Sequence, residues 1–117
     1  MLKVKSLRTN RILLNAFDAY LGGIKMKRSK GVRLLLQFFL TEQSKNNGML
    51  KKLLIEKPIL PEAQQSDMIK YTVTLEESAY DQFKAAIGEF SVETVLDYLI
   101  AYFLKLSDDE KFNIMFG

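Results

Sequence analysis

Lys70, Thr72 and Thr74 occupy every second position of residues 69–75, so an extended backbone sets one amine and two hydroxyls in a row on one face. Such a row donates and accepts hydrogen bonds but contains no nucleophile paired with a base. Two cationic clusters accompany it: Lys3 and Lys5 near the start, and Lys25, Lys27, Arg28 and Lys30 around Ser29. The chain has no Cys and no His, which removes disulfides, thiolate zinc ligation and the commonest general base. An enzyme is therefore not expected, and neither a cofactor nor a metal is called for. Asp108, Asp109 and Glu110 after Ser107 read as the acidic first turn of a capped helix, because three consecutive carboxylates do not converge on one cation.

Charge is distributed unevenly along the 117 residues. Residues 1–57 carry 13 Lys/Arg against 3 Asp/Glu, while residues 58–117 carry 4 against 11. The first half is suited to a polyanion and the second is not. A hydrophobic content of 48% is that of a folded chain. No apolar run approaches the roughly 20 residues of a membrane span, and the start MLKVKSLRTN lacks the apolar core of a signal peptide, so a cytoplasmic protein is expected.

The elements that must position these residues can be traced by period. Ile69, Tyr71, Val73 and Leu75 alternate with Lys70, Thr72 and Thr74, the pattern of a half-buried strand. Residues 2–8 alternate more weakly, Leu2, Val4 and Ser6 against Lys3, Lys5 and Leu7. A lone strand is not stable, so the partner of 69–75 is either 2–8 or a copy of itself in another chain. Thr9 or Asn10 caps a first helix bearing Leu13, Leu14, Phe17, Tyr20 and Leu21, stopped by Gly22 and Gly23. Ser29 caps a second with Val32, Leu34, Leu35, Phe38, Phe39 and Leu40. Met49, Leu50, Leu53 and Leu54 suit one or two helical turns, and Pro58 and Pro61 with the polar residues 62–67 make a linker. Ala79, Tyr80, Phe83 and Ile87 line a third helix ending near Gly88. Ser91 caps a fourth with Val95, Leu96, Leu99, Ile100 and Phe103, and a short terminal helix follows Ser107.

The expected architecture is mainly α with a short β-ribbon. A basic unit spans 1–44, a linker 45–68, an acidic unit 69–106 and a helical tail 107–117. Each unit is too small to hold its own core, so the two strands pair as an antiparallel two-stranded ribbon.

Lys70-Tyr71-Thr72-Val73-Thr74-Leu75-Glu76-Glu77-Ser78 resembles the strand and first helix of the ribbon-helix-helix DNA-binding family (Arc, CopG and methionine repressors), and Ser91 with Leu96, Leu99, Ile100 and Phe103 resembles its second helix. Residues 2–40 resemble the same unit more loosely, as in members with two units in one chain, among them archaeal-virus and plasmid proteins. The resemblance implies a transcriptional regulator, such as a repressor, that lays its ribbon in the major groove of double-stranded DNA. It implies base reading by Lys3, Lys5, Lys70, Thr72 and Thr74, and phosphate binding by Lys27, Arg28, Ser29 and Lys30. Two departures stand out: Glu93 and Asp97 would repel a phosphate at the second unit's helix start, and Leu7 falls where a polar reader is expected. The alternative is a protein-interaction module, antitoxin-like or a plasmid-partition accessory. Surplus apolar residues at 112–116, with Phe112 and Phe116, suit self-association, which joins the intrachain pseudo-dimer as an expected mode of assembly.

Overall fold

The computed structural model describes residues 1–46, 48–56 and 68–117. Strand β1 (Leu2–Asn10) leads into helices α1 (Arg11–Gly23), α2 (Arg28–Asn46) and α3 (Met49–Glu56). Strand β2 (Met68–Glu76) leads into α4 (Glu77–Ile87), α5 (Val92–Leu104) and α6 (Asp108–Phe116). The molecule is thus mainly helical with one two-stranded antiparallel sheet. The expected linker prolines and residues 62–67 lie outside the described residues.

β1 pairs with β2 of the same chain, and the register is set at its centre by Ser6 opposite Thr72. On the inner face Leu7 lies opposite Tyr71, Lys5 opposite Val73 and Lys3 opposite Leu75. Leu7, Tyr71, Val73 and Leu75 are buried there. The alternation of β2 is therefore as expected, whereas that of β1 is inverted: Lys3 and Lys5 share the face of Leu7, and Leu2 and Val4 face outward. A shift of one residue exchanges the two faces of a strand. Leu7 against Tyr71, with Thr9 fully buried behind it, outweighs Leu2 and Val4, which sit towards the ribbon's end.

Helix boundaries follow local chemistry. Asn10 caps α1, its side-chain oxygen accepting from the Ile12 and Leu13 amides at 2.8 and 3.1 Å. Ser91 caps α5 through the Thr94 amide, and Ser107 caps α6 through the Glu110 amide at 3.2 Å. Gly88, with φ 61°, ends α4. α1 continues through Gly23, and the left-handed residue after it is Lys25, φ 56°. α2 begins at Arg28, so Ser29 lies within its first turn instead of capping it.

The core is shared between the two strand-helix-helix-helix stretches. α1 packs on α5 and α2 on α4, while α3 reaches α5 and α6 reaches α2. Phe17 meets Phe103 edge-on at 5.8 Å and Phe83 meets Phe39 edge-on at 4.9 Å. Phe17 and Phe83 hold matching positions counted from the caps of α1 and α4, as do Phe39 and Phe103 counted from the starts of α2 and α5. All four rings are fully buried, and burying each is worth about 1.5–3 kcal/mol. Neither stretch could close this core alone, because each ring's edge-on partner belongs to the other.

Candidate nucleic-acid interface

The outward face of the ribbon is built by alternation and register together. It presents Val4 opposite Thr74, Ser6 opposite Thr72 and Arg8 opposite Lys70. Lys70 and Thr72 are exposed and Thr74 is half-buried, so the three β2 residues lie on the face expected of them. Val4 is 69% exposed. Arg8 and Lys70 stand directly across from one another, where like charges repel, and neither has an ion-pair partner among the described residues. Two cations thus stand side by side in solvent, to one side of the centre of a hydroxyl-bearing strip, and give that half a positive potential.

Lys3 and Lys5 are engaged on the other side. Lys3 Nζ pairs with Glu77 at 2.9 Å, and the Lys5 ammonium sits 4.4 Å from the centre of the Tyr80 ring. The hydrogen bond from Lys3 holds the Glu77 carboxyl below its usual range. These two lysines do not belong to the outward row, and Arg8 is the cation of β1 that does. Arg8 could have been found by aligning the two strands on their helix caps: Thr9, Leu7 and Lys5 then fall on Leu75, Val73 and Tyr71, and Arg8 falls on Thr74.

At the start of α2, Arg28 is committed to Asp18, with Nε to Oδ1 at 3.0 Å and Nη2 to Oδ2 at 2.6 Å. This bidentate pair anchors the α1–α2 turn and leaves Arg28 little capacity for another anion. The Ser29 hydroxyl oxygen accepts the Thr74 amide at 3.0 Å, closing the outer edge of β2 while its own proton stays available to donate. Lys27 and Lys30 are exposed, and the first amides of α2 have no intrahelical carbonyl to bond. The structure therefore gathers Lys27, Ser29 and Lys30 beside the Thr74 end of the ribbon.

The start of α5 differs. The carboxylate of Glu93 accepts the Arg8 amide, closing the outer edge of β1 as Ser29 closes that of β2. One turn on, Asp97 is 8% exposed and accepts the Thr9 hydroxyl at 2.5 Å. Burial pushes the Asp97 carboxyl up to about 6, the Thr9 hydrogen bond opposes this and the Glu93 charge adds to it. Burial likewise raises the Tyr71 hydroxyl. Glu93 and Asp97 thus both hold β1 in place.

Among the described residues no cluster of His, Cys, Asp or Glu is suited to a metal, and no helix is long and apolar enough to cross a membrane. Phe112 and Phe116 are about half exposed with their rings 4.8 Å apart, while Met115 between them is buried. Comparisons with protein-family models, curated proteins and solved structures find no match.

Proposed function

We propose that the chain is a sequence-specific binder of double-stranded DNA acting in transcription regulation, built as two intertwined ribbon-helix-helix units in one polypeptide. The observation that carries this reading is the Arg8–Lys70 pair on the outward face, without an ion-pair partner among the described residues and in line with Ser6, Thr72 and Thr74. A two-stranded ribbon fits the major groove. There Arg and Lys donate to guanine O6 and N7, and the small hydroxyl-bearing side chains reach either donors or acceptors. The crossed Phe17–Phe103 and Phe39–Phe83 pairs support two units that complete one another. Lys27, Ser29 and Lys30 at the α2 start would hold a backbone phosphate.

A mobility-shift titration of random-sequence duplex across a salt series tests the reading. Affinity is expected to fall steeply with salt, because each neutralised phosphate adds about 0.9 to the negative slope of log K on log salt. The Arg8→Ala, Lys70→Ala double variant should bind more weakly while melting like the parent. Absence of binding at the lowest salt would overturn it.

A second reading is favoured by the exposed Phe112 and Phe116: self-association or capture of a protein partner, as an antitoxin-like or partition accessory module would need. Replacing both with Ser and measuring molar mass in solution tests this seam. A protein that stays the same size before and after removes self-association through it.

A further inference from the structure

Building on the DNA-binding reading, we infer that the ribbon recognises a non-palindromic duplex in one orientation: the Arg8–Lys70 half lies over guanine edges, and the Val4–Thr74 half over thymine methyls.

The geometry is that of a near-symmetric frame carrying unlike side chains. The register is self-consistent about Ser6 and Thr72: a half-turn there exchanges Arg8 with Thr74 and Val4 with Lys70. The backbone is thus indifferent to which way round it sits, but the chemistry is not. One half-ribbon offers two cations with long, multiply donating heads. The other offers a valine, 69% exposed, and a threonine, both ending in methyl groups.

The helix starts enforce the same polarity. The outer edge of β2 at Thr74 is closed by the neutral Ser29 hydroxyl, with Lys27 and Lys30 beside it. The equivalent edge of β1 at Arg8 is closed by the Glu93 carboxylate. A phosphate can approach the first site and is repelled at the second. One half therefore holds the backbone and touches methyls, while the other reads base acceptors with cations and leaves the backbone alone. Turning the chain round on the same duplex sets Val4 against polar guanine edges and Arg8 against methyls. A mismatched contact of this kind lowers affinity by about tenfold or more.

Selection of bound duplexes from a random pool by the full chain tests this. The expected motif has G·C pairs in one half and A·T pairs in the other. The chain contains no cysteine, so Glu89→Cys, in the exposed turn before α5, provides a unique thiol for an iron-chelate cleavage reagent. Cuts are expected on one flank of the selected site. The variant Arg8→Thr, Lys70→Val makes the two half-ribbons alike, and its selected motif should become two-fold symmetric and A·T-rich. A palindromic motif for the parent, or equal cutting on both flanks, would overturn the inference while leaving DNA binding intact. Recovery of no duplex would overturn the DNA-binding reading, and this inference with it.

Discussion

The Thr9 hydroxyl donates to Asp97 Oδ1 at 2.5 Å, with Thr9 fully enclosed, and so ties β1 directly to α5. The Asp97 carboxyl, raised from 3.8 to about 6, holds its proton in the folded chain at pH values where the unfolded chain has lost it. The folded state binds more protons between those two values, so this group's contribution falls as pH rises through that window and is lowest above it. Asp97→Asn keeps an acceptor for Thr9 and cannot ionise. The variant is expected to be more stable than the parent by about 1–3 kcal/mol at pH 7.5 and to lose the advantage near pH 4. Urea midpoints for both proteins at the two pH values measure this. Their difference separates Asp97 from Glu77, which follows the opposite sign because Lys3 depresses it. An equal gap at both pH values would show that Asp97 does not titrate as described.

At Gly31, α2 lies close against side chains of α1. A Cβ built there would lie 2.6 and 2.9 Å from the two terminal carbons of Leu21 and 3.2 Å from Phe17 Cζ, and both side chains are buried in the core. Gly→Ala inside a helix ordinarily stabilises by about 0.5–1 kcal/mol. Overpacking costs about 1–3 kcal/mol, so Gly31→Ala is expected to lower stability. A thermal midpoint equal to or above the parent's would show that Leu21 can move aside.

Lys25 is a non-glycine residue in left-handed backbone, φ 56°, and its side chain is exposed. That conformation costs about 1–2 kcal/mol for a residue with a Cβ. Lys25→Gly relieves it but frees the unfolded chain, so the expected net gain is about 0.5 kcal/mol. Chemical denaturation against the parent checks the sign.

The inverted face of β1 gives a direct comparison of its cations. Arg8→Ala is expected to weaken a selected DNA site by about 1–3 kcal/mol and relax its sequence preference. Lys5→Ala should leave the sequence preference unchanged and instead lose about 0.5 kcal/mol of stability with the Tyr80 contact. Lys27→Ala and Lys30→Ala should weaken all duplexes alike, each reducing the salt slope by about 1. Equal effects of Arg8→Ala and Lys5→Ala on preference would contradict the assignment of faces.

Much of the architecture was readable from local chemistry. Ile69, Tyr71, Val73 and Leu75 have no competing set of apolar positions, so their strand and its inner face follow from period alone. Asn10, Ser91, Ser107 and Gly88 mark helix ends by mechanisms that act within a few residues. β1 is different, because Leu2 and Val4 compete with Leu7 and a count of apolar residues favours the wrong face. Its orientation depends on Tyr71, far along the chain, and on where Asn10 starts α1. The commitment of Arg28 to Asp18 was hidden for the same reason, since a basic run does not disclose which of its members a neighbouring helix has already claimed. The charge of Glu93 is visible in the sequence, but its bond to the Arg8 amide depends on the packing of α5 against β1.

The ribbon joins two strands of one polypeptide, and this bears on how the protein behaves when scarce. Where a ribbon forms between separate chains, dilution dissolves it, and folding is inseparable from protomer concentration. Here strand pairing is a first-order event, so a single molecule can complete its own ribbon. Loss of the ribbon should therefore not depend on protein concentration.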